Sequence, residues 1–302
     1  MKNSLTLIYI LLIYFVTSCS TTNLTKENLY KLDIDISTTE KNKEIFINSL
    51  LNKNINFNIN FESNDGIFFE NELLNSKVRY FCNSFIREQR SYIEEKILNN
   101  KNEKVLVVFS ERNQSLANNL KKKYPNHIYT LISKDNYTND ISNVLNIDYS
   151  NNRFKIISSL DKNIKINHIP RVRQDISKIY FIVNYDFGKT IVPIFRSYSL
   201  KIDFYATSEI FHNAVDIKKL SDFEGTYIPL SNKLLEKISH KSSLKNLKTK
   251  IEYIIIEDYI ELEIIYQNNL IRKNNGLILT PEKIERNKCI SLKNDFIKIA
   301  SV

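Results

Sequence analysis

Cys19 is the residue whose neighbours prescribe a covalent chemistry. It follows Val16-Thr17-Ser18, which close an apolar run from Leu5 to Val16 broken only by Thr6, and Lys2 supplies a positive start. A charged start, an apolar stretch of about a dozen residues and a small-residue cleavage site are the layout of an export signal. The stretch is too short to span a bilayer, which takes about 20 helical residues. A cysteine directly after the small residues completes a lipobox, in which the thiol is diacylated, the peptide is cut before it and the new amine is acylated. Residues 1–18 are then a lipoprotein signal peptide and residues 19–31 a lipidated tether. Several acyl chains, at about 0.8 kcal/mol per buried CH₂, hold such a chain on a membrane. An ordinary signal peptide with an incidental cysteine, or an uncleaved anchor, is the competing reading.

The other residues capable of chemistry are scattered. His127, His168, His212 and His240 lie far apart, with no H-E-x-x-H or C-x-x-C spacing for a metal. The four glycines, Gly66, Gly188, Gly225 and Gly276, make neither a phosphate-cradling loop nor a G-x-S-x-G elbow. Glu257 and Glu261 would share one helical face, where a solvated surface explains them better than acid–base work. No catalytic residue, cofactor or metal is expected, and the chain reads as a non-enzyme. Cys82 and Cys289 sit in apolar, strand-like surroundings, so buried free thiols are expected over a bridge, although export permits one. Lys237, Lys241, Lys245 and Lys248 are spaced to fall on one side of a helix, provided Ser242-Ser243 does not break it. That stripe is a solvated face or a basic surface for an acidic partner.

Charge is distributed in the same diffuse way. The 302 residues carry a formal net charge of +9, spread along the chain rather than gathered in one tract. An anionic envelope component therefore fits as a target better than nucleic acid. The hydrophobic share of 42% and charged share of 25% are those of an ordinary globular domain, enough for one large or two small cores.

The elements that must position any site alternate in type. Lys104 to Ser110 is a continuous apolar run, the mark of a strand buried on both faces. A helix over Asn113 to Lys123, stopped by Pro125, and a strand over His127 to Ile132 follow. Asp140 to Leu145 and Asn151 to Leu160 read as helical turns. The pattern repeats as a strand over Lys178 to Val183, a helix over Asp186 to Tyr198 and a strand over Lys201 to Thr207. Val78 to Asn83 with Ile86 to Leu98 looks like the same strand–helix unit placed earlier. Such alternation argues for an α/β fold with mostly parallel sheets. A long helix over Asn246 to Gln267 and a short antiparallel ending from Gly276 to Leu292, turning at Pro281-Glu282-Lys283, complete the expectation.

One block carries more specific information. Arg171-Val172-Arg173-Gln174-Asp175 precedes the Ile179 strand, Tyr205-Ala206-Thr207-Ser208 ends the next strand, and Asp222-Phe223-Glu224-Gly225-Thr226-Tyr227 leads to Pro229. Charge-assisted bonds between the arginines and Asp175 would lock the loop that feeds the Ile179 strand. Tyr205 to Ser208 sits where open α/β sheets place their crevices, and Gly225 would let the chain turn between lobes. In order and spacing the block resembles the LppC family of LpoA-like penicillin-binding protein activators. Val105 to Ser110, and more faintly Tyr80 to Glu88 and Gly276 to Arg286, extend the resemblance over about two-thirds of the mature chain that begins at Cys19. It implies a two-lobed fold like the type I periplasmic binding proteins, with lobe 1 about 32–103 plus 223–302 and lobe 2 about 104–222. It further implies an outer-membrane lipoprotein facing the periplasm, whose partner is a class A penicillin-binding protein, the peptidoglycan synthase. Arg171, Arg173, Asp175, Tyr205, Thr207 and Ser208 become structural or partner-contact residues. The helical repeat domain of well-known members has no counterpart here, and the first strand–helix units are shortened.

Three functions compete. A regulator of cell-wall synthesis is the first, a solute-binding lipoprotein for an amino acid or similar small ligand the second, and a structural envelope lipoprotein the third. A cleft lined by convergent polar groups favours the second, and a filled cleft the first or third.

Overall fold

Residues 31–38 alternate exposed and buried positions, with Leu32, Ile34 and Ile36 turned inward, the period of a strand with one covered face. This is strand β1 (Lys31–Thr38). The computed structural model describes residues 31–53, 55–61, 67–69, 73–160, 167–198, 201–216, 220–240, 244–268, 277–279 and 288–300. Thr39 accepts the N–H of Asn42 at 3.4 Å and starts helix α1 (Glu40–Asn52). Strands β2 (Asn56–Asn60) and β3 (Ile67–Phe69) flank β1, both parallel to it, in a sheet of order β2-β1-β3. Helix α2 (Phe85–Ile93), capped by Ser84, runs on into one π turn over Glu94–Leu98.

The second sheet has six strands. Strand β4 (Val105–Phe109) is buried at every position. It is followed by α3 (Gln114–Lys123), β5 (Ile128–Leu131), α4 (Tyr137–Val144), α5 (Ile147–Leu160) and β6 (Lys178–Ile182). Then come α6 (Tyr185–Tyr198), β7 (Asp203–Ala206), β8 (Thr226–Leu230), α7 (Asn232–His240), α8 (Leu247–Gln267) and β9 (Asp295–Lys298). The order is β5-β4-β6-β7-β8-β9, parallel except for the antiparallel edge strand β9. The α/β class with mostly parallel sheets is therefore the class observed.

Two clusters of buried side chains cover this sheet. Val105, Val107, Tyr180 and Ile182 pack on one face under α3 and the Ile93–Leu98 turn. Leu106, Val108, Ile179 and Phe181 pack on the other, in a cluster that runs on through α8 to Leu32, Ile34 and Ile36 of the first sheet. Helix α8 is enclosed on nearly all sides, which explains its continuous apolar character. One core thus serves both sheets.

Strands β8 and β9 complete the six-stranded sheet, and α2 packs on its face, so residues on both sides of 222/223 share one sheet. Several local expectations are corrected. Gly225, at φ 82°, turns the chain into the same sheet, placing Thr226 beside Phe204. Pro229 is tolerated because β7 pairs only as far as Tyr227, leaving no ladder bond for the missing N–H. Val78 to Asn83 forms no strand; it makes only an isolated bridge, Phe81 with Ile290. Strands β8 and β9 form an antiparallel pair, and most of the Gly276 to Leu292 ending, its Pro281 turn included, lies outside the described residues. Cys82 and Cys289 are joined as a disulfide, with Cα atoms 4.8 Å apart, instead of being buried thiols. The bridge between Phe81 and Ile290 is what aligns them, a long-range pairing that local sequence does not carry.

Candidate functional site

A cleft of about 390 Å³ opens at the carboxyl ends of the central strands. Beyond β4 the chain presents Arg112 and Asn113, beyond β6 Asn184 and Tyr185, and beyond β7 Glu209, His212 and Asn213. Arg90 of α2, Lys248 of α8 and the Leu74-Asn75 turn close it. The place is determined by topology. The partner after β4 in sequence, β5, lies on one side of it and β6 on the other, so the crossovers diverge there and leave a crevice. The volume is that of a small-molecule site.

Each wall is held by hydrogen bonds. Asn113 Nδ2 donates to the carbonyl of Ile182 at 2.9 Å and to Ser110 Oγ at 3.2 Å, tying the ends of β4 and β6 together. Asn184 Oδ1 accepts the N–H of Phe187 at 3.1 Å and caps α6 at the cleft. Gly188, one turn later, lets α6 approach the turns that hold Ile210 and Phe223 closely: a Cβ there would lie 2.9 Å from Ile210 Cγ1 and Phe223 Cε1. Gln89, fully buried, accepts from the N–H and hydroxyl of Ser208, both at 2.9 Å, and donates to the carbonyl of Pro229 at 2.7 Å. Beside it Arg90 Nη2 donates to Glu209 Oε2 at 2.7 Å, and Thr207 Oγ1 reaches the same oxygen at 3.0 Å.

His212 stands 3.3 Å from Ser208 Oγ through Nε2. Burial, with the neighbouring Lys248 ammonium second, holds its imidazole down at about 3, so the ring is neutral at ordinary pH. The Ser208 hydroxyl proton is engaged by Gln89, which leaves Nε2 as the donor in that pair. Nothing here resembles a nucleophile with its base: the hydroxyl points its proton at an amide. Among the described residues no group of three or more His, Cys, Asp or Glu could hold a metal ion.

The residues singled out in the sequence are placed apart. Arg173 forms a two-bond pair with Asp175, both bonds 2.7 Å, and donates to the carbonyl of Val144 at 3.2 Å, so it pins the segment before β6 against α4. Mutual pairing holds the Asp175 carboxyl below the usual carboxylate range. Among the described residues Arg171 joins through its backbone, donating to Ser150 Oγ at 2.9 Å. Tyr205 is buried against Tyr227 and Phe296, whereas Thr207 and Ser208 are buried behind the cleft and touch two residues that line it, Glu209 and His212. The lysine stripe is divided: Lys237 lies on α7, Lys245 in the bend before α8, Lys248 in the cleft, and Lys241 outside the described residues. Asn246, capping α8 through Thr249, ends any continuous helix. Glu261 is not simply solvated, for it pairs with Lys53 at 2.7 Å. His127 is a satisfied core histidine between the carbonyl of Leu98 and the N–H of Val105. Cys19 lies outside the described residues, and among those described no helix is long and apolar enough to cross a membrane.

Arg90, Arg112, Gln89 and His212 were not apparent from sequence. The rule that crevices lie beyond carboxyl ends of parallel strands, applied to β4 and β6 as well as β7, would have found Arg112 and Asn184. Gln89 and Arg90 carry no such signal, since only packing brings α2 to the strand ends.

No family model matches the sequence, and no curated protein matches it. Among solved structures the chain is similar to the C-domain of LpoA from Haemophilus influenzae, a regulator of PBP1A. There the TM-score is 0.40 and the identity 9%, over 89% of this chain and 79% of that one. A monoclinic form of Haemophilus influenzae LpoA gives a TM-score of 0.37 at 10% identity, over 92% of this chain and 58% of that one. A solute-binding protein of an ABC transporter from R. palustris, in complex with benzoate, gives 0.31 at 7% identity, over 72% and 65%.

Proposed function

We propose that this chain is a non-enzymatic lipoprotein, anchored through Cys19 on the periplasmic face of the outer membrane, that activates a class A penicillin-binding protein. The observation that carries this reading is the ordered block from Arg171 to Pro229, which resembles that of the LppC activators. Its members have scaffolding contacts: the Arg173–Asp175 pair, the Ser208 link to Gln89 and the Gly225 turn into β8. A disulfide between Cys82 and Cys289 is in keeping with an exported chain. Activation of this kind works through differential binding, with the active conformation of the synthase bound more tightly than the inactive one.

The test is direct. The full chain, purified in detergent, is mixed with a class A synthase while binding and glycan-strand synthesis are followed. Turnover rises, and binding weakens with salt. Lys237→Glu together with Lys245→Glu, both exposed, weakens association about tenfold, mainly by slowing it. If no synthase binds at low salt, the structural envelope reading takes its place.

A second reading is favoured by one specific observation. The cleft is open and lined by convergent polar groups, the condition that separates a solute-binding lipoprotein for an amino acid or similar small ligand from the other two functions.

A further inference from the structure

The charge lining the cleft is unbalanced. Arg90, Arg112 and Lys248 face a single carboxylate, Glu209. Glu209 is already matched, since it accepts from Arg90 at 2.7 Å and from Thr207 at 3.0 Å. Arg112 is exposed and forms no ion pair among the described residues. Lys248 pairs with Glu252 at 4.0 Å, a carboxylate that lies outside the cleft lining and is shared with Lys41 at 2.7 Å, so its charge still counts among those lining the cleft. The buried Nε of Arg90 has no hydrogen-bond partner. Helix α6 adds its positive end, because Asn184, which caps it, lines the same space. Asn184 uses its carbonyl oxygen for that cap, so its amide N–H₂ remains a donor, and Asn113 and Asn213 add further polar groups. The remaining walls are Leu74, Val183 and the Tyr185 ring.

We infer that the cleft between Arg112, Arg90 and Lys248 is a binding site for a small organic anion carrying more than one negative charge. Its volume is that of a small-ligand site, and its lining supplies cationic side chains from three separate segments against one compensated acid. Arg112 and Lys248 take the charged groups of the ligand, and Arg90, fixed by Glu209, adds its positive charge to the wall. Neutral His212 withdraws from charge recognition and serves as a wall. A cationic ligand meets three positive side chains and is rejected. This ligand class rests on the small-ligand reading of the cleft, and it holds whether or not the chain binds a synthase.

Calorimetric titration of the full chain in detergent tests it, with citrate, succinate and glucose 6-phosphate as anionic probes, and glucose and putrescine as neutral and cationic ones. At least one anionic probe binds, and its affinity falls about tenfold or more in Arg112→Gln and in Lys248→Gln. Lys122→Gln, on the exposed face of α3, leaves it unchanged, and thermal melting shows that all three variants fold. Preference among the anions separates carboxylate from phosphate recognition. Binding of glucose without any anion overturns the anionic class while leaving a small-ligand cleft. Absence of binding by every probe at millimolar concentration overturns both, and so does anion binding indifferent to both cleft variants for the site. Synthase capture by the same variants is a separate readout, and its loss or retention bears only on the regulator reading.

Discussion

Asp258 illustrates how burial sets the behaviour of one residue. It sits on α8, 2% exposed, and accepts the N–H of Leu279 at 2.7 Å and that of Ile278 at 3.0 Å. Those donors favour the carboxylate, but loss of water outweighs them and pushes the carboxyl up to about 7. The folded state therefore holds this proton more tightly than the unfolded chain does. Its contribution to stability is complete below about 4 and is lost as pH rises through about 7, on the order of a few kcal/mol. His212 works in the opposite sense, because its folded value lies below the ordinary one, and its contribution is lost as pH falls from about 6.5 toward 3. Asp258→Asn keeps a carbonyl acceptor for the two N–H groups and removes the proton. Urea denaturation at pH 4.5 and pH 7 measures the outcome: the variant becomes more stable with rising pH over that range, relative to the trend of the parent. An identical pH dependence in both proteins would refute the assignment to Asp258.

At the scale of elements, α2 is the piece whose attachment decides whether the cleft exists. Its Ser84 cap and amphipathic pattern make it a helix, but Gln89 is what fixes it to the strand ends. That side chain satisfies the Ser208 N–H, the Ser208 hydroxyl and the Pro229 carbonyl, all out of reach of water. Gln89→Leu keeps the volume and strands these groups, at a cost of about 2–4 kcal/mol from unsatisfied buried polar atoms. Because Arg90 follows directly, the same change loosens the Arg90–Glu209 pair. Guanidinium unfolding should show a lowered midpoint, and a truncation of the exposed neighbour Arg87 should leave it within about 0.5 kcal/mol.

For the whole molecule, the Cys82–Cys289 disulfide closes the longest loop in the described chain. It fastens the segment before α2 to the segment before β9, reinforced by the Cys82 N–H to Ile290 carbonyl bond at 2.9 Å and the Ile290 N–H to Tyr80 carbonyl bond at 2.7 Å. The cross-link spans a sequence separation of 207 residues. Constraint of so long a loop in the unfolded chain is worth about 2–5 kcal/mol. Reducing agent lowers the unfolding free energy of the parent by that amount, seen as a lower urea midpoint, and the double variant Cys82→Ser, Cys289→Ser is already lowered and does not respond to reductant. A reductant-insensitive midpoint in the parent would show that the thiols are unbridged.

What the sequence by itself determined is whatever local burial imprints on residue order. Val105 to Phe109 reads as a strand because both its faces are covered, so apolar residues run without a break. Asn246 to Gln267 reads as a helix because its length and content leave no other element. The alternation of strand and helix gave the parallel α/β class, and Arg173 with Asp175, two positions apart, allowed a local lock to be foreseen. Only the tertiary structure decided which strand lies beside which. Strand β8 joins β7 through a turn at Gly225, and β9 returns from the far end of the chain. It also decided the cleft, whose charges come from residues 90, 112, 209 and 248 on four separate segments. No spacing in the sequence links those positions, because their proximity is a product of sheet order and helix packing. Lysines spaced for one helical face were divided between elements for the same reason: a cap at Asn246 ended the helix, and the packing of α8 carried Lys248 inward.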